Sequence, residues 1–179
     1  MTRGTLTRGI ALGVAHLLLV SSLGAKLYYD RATRPRVWVE TTPYDPDLPI
    51  RGRYVSLRLR VDAPGIEVPT EAPAAAFGFS TGPTVTLSVE GDRLVARPAG
   101  GEDQDDEPSV RFVPLGGSPV PVLRQPVAFF IPEHVEDPSR RPPGETLWVE
   151  VTLPRKGPPR PIRLGVRRGE GLVEPLPLD

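Results

Sequence analysis

Not one charged residue occurs between Gly9 and Ala25, where the chain reads Gly-Ile-Ala-Leu-Gly-Val-Ala-His-Leu-Leu-Leu-Val-Ser-Ser-Leu-Gly-Ala. As a helix this run reaches roughly 26 Å, close to the hydrocarbon thickness of a bilayer. Its far flank suits an interface: Lys26 can extend its ammonium toward water, and Tyr28 and Tyr29 are amphipathic aromatics. Arg3 and Arg8 supply a short basic leader. The expected layout is a leader at 1–8, a transmembrane anchor at 9–29, a charged linker at 30–36 and one domain at 37–179.

Two questions about the anchor have competing answers. Lys26, Arg31, Arg34 and Arg36 outnumber the leader's two arginines, a count that places the domain in the cytosol. The leader is very short, however, and long domains translocate largely regardless of charge, so an extracytoplasmic domain is the expectation. Ser22 and Gly24 form a small-x-small site, so cleavage after Gly24 is the alternative to a retained signal anchor. His16 lies inside the apolar run. The simplest reading is a neutral imidazole bonded to the backbone or to a helix partner, marking the face that meets another helix.

The remainder of the chain is long enough to bury a core without staples. It has no cysteine, which removes disulfides, thiolate metal sites, cysteine nucleophiles and a lipidated cysteine. Charge is balanced, with 22 basic and 22 acidic residues, which argues against nucleic acid as a partner. Arginine in place of lysine, no asparagine and 24 prolines fit either heat adaptation or a GC-rich genome, and neither bears on chemistry.

Beyond the linker the apolar period is two almost everywhere. Val37 to Glu40 opens the domain as a strand. From Arg53 to Asp62 alternation is clean: Val55, Leu57, Leu59 and Val61 face one way, Tyr54, Ser56, Arg58 and Arg60 the other. Thr84–Val89 and Leu94–Arg97 flank a hairpin signal at Glu90-Gly91-Asp92. Further strands are expected at Val110–Leu115, Val127–Ile131, Leu147–Leu153, Ile162–Val166 and Leu172–Leu176. Prolines bracket most of them, as befits strand ends and edges. The fold class is all-β, a single small sandwich or barrel-like domain behind one N-terminal helix.

The segment Leu48-Pro49-Ile50-Arg51-Gly52-Arg53-Tyr54-Val55-Ser56-Leu57-Arg58-Leu59 resembles the signature of a bacterial family named for its Gly-Asp-Tyr-x-x-Leu-x-Tyr motif. Gly52, Tyr54 and Leu57 fit; Arg53 stands where the family has aspartate, and Leu59 where it has its last tyrosine. Downstream, Ala128-Phe129-Phe130-Ile131-Pro132-Glu133 is similar to the family's second block, and a strand follows at Leu147. The resemblance implies a membrane-anchored envelope protein, in some cases beside a multi-spanning membrane protein. It implies no reaction. A glycine leading into an aromatic strand residue most simply answers a backbone need.

Chemistry-bearing residues are sparse. His134 stands beside Glu133, Glu136 and Asp137, and a general base or metal ligand there needs convergence that the sequence does not promise. Glu102 to Glu107 is a dense acidic run that could gather calcium, yet it lacks the EF-hand spacing and reads first as a solvated loop. Lys26 and Lys156 sit in positions unlike the buried lysine of a serine–lysine hydrolase. No catalytic residue, cofactor or metal is assigned.

The tryptophans say more. Val37-Trp38-Val39-Glu40 and Leu147-Trp148-Val149-Glu150 echo each other, and in both the aliphatics alternate away from the Trp-Glu side. If the aliphatics form the core, Trp38 and Trp148 share the opposite face with Arg58 and Arg60, a candidate binding face. The competing reading covers that face with a second layer, as tryptophan is usually well buried. The basic stretch from Arg140 to Arg168 can touch anionic headgroups or simply face solvent. The leading expectation is a non-catalytic accessory domain paired with an integral membrane partner. The alternative is an anchored module that binds an envelope polymer or anionic lipid, and a hydrolase ranks third.

Overall fold

The computed structural model of the chain describes residues 3–42, 54–68, 82–100, 107–155 and 157–178. Helix α1 spans Arg3–Thr33. Leu17, Leu18, Leu19 and Val20 are consecutive, so they point in four directions, and each is between 66 % and 71 % exposed. Apolar residues thus face every side of this stretch, and α1 is long and apolar enough to cross a membrane, as an anchor or a signal sequence would be. Three of its polar side chains bond to the helix's own carbonyls. His16 Nδ1 lies 2.9 Å from the Leu12 carbonyl, Ser22 Oγ donates to Leu19 O at 2.8 Å and Thr33 Oγ1 to Tyr29 O at 2.8 Å. The helix runs through most of the expected linker 30–36 and stops just before Pro35, whose ring disfavours helical geometry at Arg34. The chain divides into two compact units between Arg34 and Pro35.

The second unit is all-β. Its strands are β1 (Arg36–Thr42), β2 (Tyr54–Leu59), β3 (Val85–Glu90), β4 (Arg93–Pro98), β5 (Val110–Leu115), β6 (Ser118–Leu123), β7 (Val127–Phe130), β8 (Glu145–Thr152), β9 (Arg160–Arg168) and β10 (Glu174–Pro175). Six of them form one sheet in the order β10-β9-β8-β1-β2-β7, curled into a half-barrel. The hairpins β3–β4 and β5–β6 attach to it through single bridges, Asp62 with Val95 and Arg60 with Val122. Alternation places Val37, Val39, Val55, Leu57, Leu59, Val149 and Leu164 on the inner face, where all are buried beside Val85, Leu94, Ala96, Val110 and Leu123 of the hairpins.

Turn chemistry is local and explicit. Gly91 adopts φ 64° at the first position of the β3–β4 turn, the requirement of a two-residue Gly-x hairpin. At Gly82 any side chain would collide with the Val110 carbonyl. Strand β6 is not among the expectations above, and its Pro119 and Pro121 lack the N–H that a ladder uses. They occupy alternate positions, which share one edge of the strand. There Pro121 needs only its carbonyl, which accepts the Val61 N–H at 3.1 Å.

Candidate functional site

Strands β1 and β8 run antiparallel, with Trp38 opposite Glu150 and Glu40 opposite Trp148. The two echoing tetrapeptides therefore pair reciprocally, each indole across from the other strand's carboxylate. Val37, Val39, Val149 and Val151 fill the core side, so both indoles lie on the opposite face, half-buried. Strand β9 completes the grid: Arg163 stands opposite Glu150, Gly165 opposite Trp148 and Arg167 opposite Thr146. A register shift at Glu150/Val151, with Ile162 as the extra residue of β9, sets this alignment.

The indoles are held from several sides. A Cβ on Gly165 would stand 2.8 Å from Trp38 Cζ3 and 2.9 Å from the Glu174 carbonyl, so the Trp38 ring lies across a position where only glycine fits. The Arg163 guanidinium sits 5.3 Å from the Trp38 ring centre, and its Nε donates to Glu150 Oε2 at 2.8 Å. The Arg167 guanidinium sits 4.3 Å from the Trp148 ring centre, while Trp148 Nε1 donates to Thr146 Oγ1 at 2.9 Å. Each stack joins ring quadrupole and cation.

On the other side of β1 the sheet opens. Strand β2 pairs with β1 over Thr41/Leu59 and Thr42/Arg58, and the Arg60 N–H still reaches the Glu40 carbonyl at 3.0 Å. Then the strands part. Asp62 turns to β4, donating its N–H to Leu94 O at 2.9 Å and accepting from Ala96 N at 2.7 Å. The divergence leaves a cleft of about 340 Å³, lined by Trp38, Glu40, Arg60, Asp62, Asp92, Arg93, Trp148 and Arg167, among others. Arg60 pairs with Glu40 at 3.0 Å and Arg93 with Asp62 at 3.3 Å. Further along β9, Arg168 bonds Glu145 at 2.9 Å and Glu174 at 3.0 Å. The Glu145 hydrogen bond and charge, followed by the charge of Glu174, raise its pKa above the usual arginine value.

The sequence-derived candidates distribute unevenly. Trp38, Trp148 and Arg60 meet in the cleft, whereas Arg58 shares their face without lining it. Of the motif residues, Leu57 is a core side chain at 2 % exposure and Gly52 lies outside the described residues. Tyr54 is exposed and meets Phe130 edge-on, with ring centres 5.4 Å apart. Glu133 and His134 are exposed in a turn, while Asp137 accepts from Ser139 N and Oγ at 2.9 and 2.8 Å. Among the described residues no three His, Asp or Glu side chains cluster as a metal site would require. The acidic run lies outside them except for Glu107, as does Lys156.

Asp62, Asp92, Arg93, Arg163 and Arg167 were missed as site residues by sequence reasoning. For the last two a signal existed, because pairing β8 with β9 as a hairpin puts Arg163 beside Glu150. Four of the eight basic residues in the stretch from Arg140 to Arg168 are engaged within the fold: Arg141 and Arg168 on Glu145, Arg163 on Glu150 and Arg167 on Trp148. For Asp62 and Arg93 no local pattern announces that β2 leaves β1. The chain matches no family model, no curated protein and no solved structure.

Proposed function

We propose that this protein is a membrane-anchored, non-catalytic interaction domain of the bacterial cell envelope, working through the cleft face of its β unit. The observation that carries the reading is the cleft itself: both tryptophans of the chain line it, half-buried, together with three arginines. Aromatic and arginine side chains in a partly desolvated hollow are the usual centre of a recognition surface. Two of the three acids there, Glu40 and Asp62, are already tied to arginines, which favours binding over acid–base work. Neither histidine lines the cleft: His16 belongs to α1 and His134 to an exposed turn.

In this reading α1 is a retained single pass through the cytoplasmic membrane, with the β unit outside the cytosol. Its lipid-facing surface also meets an integral membrane partner, as the resemblance around Tyr54 and Leu57 suggests. A second reading, an anchored module that binds an envelope polymer, is favoured by the cleft's concavity. Purification of C-terminally tagged protein from native membranes in mild detergent separates the two. A stoichiometric membrane protein retained by native α1, and lost when α1 is replaced by an unrelated anchor, supports the accessory role. Recovery of the chain alone in both cases rejects it and leaves the binding module. A phosphatase fused after Asp179 is expected to be active, and an inactive fusion would reverse the orientation.

A further inference from the structure

Of the three arginines that line the cleft, two already have carboxylate partners in Glu40 and Asp62. The third does not. Among the described residues no carboxylate lies within ion-pairing distance of Arg167, and its Nε is buried without a hydrogen-bond partner. The neighbouring stack shows what is missing, since Arg163 over Trp38 is completed by Glu150 at 2.8 Å. A guanidinium laid on an indole has lost water from one face. Its remaining donors lie in the plane of the fork, where a carboxylate fits with two parallel bonds.

The rest of the wall limits what can carry that carboxylate. The volume of about 340 Å³ is at the lower end for ligand pockets, room for one ring and not for a folded segment. Formal charges of Arg60, Arg93 and Arg167 are offset by Glu40, Asp62 and Asp92, so the cleft as a whole is neutral and offers no field for a polyanion. Two indoles contribute apolar surface to the lining. Asp92, on the β3–β4 turn, has no cationic partner among the described residues and offers an acceptor at the rim. Donors and acceptors around apolar planes suit a ring bearing hydroxyls on its edge and hydrogens on its faces.

We propose that the cleft binds an acidic sugar unit of a glycan, its carboxylate seated on Arg167 and its ring against the Trp38 and Trp148 indoles. The inference rests on the reading of the cleft as the working surface and names its ligand class. Because the chain has two tryptophans and both line the cleft, its indole fluorescence reports this site alone.

The test is a titration of the full-length protein in lipid nanodiscs with glucuronic acid, glucose, acetate and inorganic phosphate, followed by indole emission. A saturable response to glucuronate is expected, at least about tenfold tighter than to the other three, a ratio worth about 1.4 kcal/mol. Arg167→Gln should lose that preference, and Arg167→Lys should keep only part of it because it retains charge without the planar fork. Urea midpoints establish that each variant is folded, and if the glutamine variant is not, the lysine variant decides. Equal response to glucose, equal response to acetate or phosphate, or an unaltered preference in the folded variants would overturn the proposal. Partner capture through α1 does not involve Arg167. Captured partner without glucuronate binding would therefore defeat this inference alone, and the reverse would defeat the accessory role alone.

Discussion

The two faces of the β1–β8–β9 sheet are made by alternate residues of the same strands, yet they are held by different physics. On the inner face Val149, Val151 and Leu164 are fully buried and Val39 nearly so. Their attraction is non-directional and depends mainly on volume and area. On the other face Trp38, Glu150 and Arg163 depend on register, for a slip by two residues would leave the valines inward yet separate Glu150 from Arg163. The inner face tells the strands to assemble. The outer face tells them which alignment to take.

Successive residues of β9 test that division. Leu164→Ala, at a fully buried inner position, should cost about 2–5 kcal/mol, read from the midpoint of urea unfolding. Gly165→Ala comes next, at about 1–3 kcal/mol, because the new methyl would press on Val173, Trp38 and the Glu174 carbonyl; a shift in indole emission should accompany it. Arg163→Gln leaves Glu150, only 7 % exposed, without its cation and should cost about 1–2 kcal/mol. Smallest of all is Arg93→Gln, whose partner Asp62 is half exposed; a change within about 0.5 kcal/mol is expected, and less at high salt. If Arg163→Gln proved as costly as Leu164→Ala, the distinction between the faces would fail. If Arg93→Gln matched Arg163→Gln, exposure would not be what grades the ion pairs.

Much of the fold could be read from alternation because period two is a property of the backbone, visible without knowing the partner strand. The strands around Val37, Val55, Val110 and Leu147 follow from it directly. So does the shared face of Trp38 and Trp148, which needed only the assumption that valines point inward. Strand β6 escaped because the objection to proline applies to a ladder on both sides, and Pro121 has a donor opposite its carbonyl. The cleft itself was illegible. It exists because Asp62 pairs with β4 instead of following β1, and that choice is made by residues more than 30 positions apart in sequence. Arg167 was visible as a charge, but its place over Trp148 depends on the alignment of β8 with β9.

The ends of the six-stranded sheet carry a consequence for how these molecules behave when crowded. Its outermost strands are short, two residues in β10 and four in β7. One contains Pro175, and Glu174 beside it is clamped by Arg168. A second chain seeking to continue the sheet would find at β10 almost no ladder to copy and a proline that donates nothing, the means by which natural sheets resist edge-to-edge aggregation. A domain tethered beside its copies on one surface, as the proposed anchoring through α1 would place it, meets itself far more often than one diffusing in bulk. There the abrupt ending of β10 would disfavour pairing edge to edge with a neighbour.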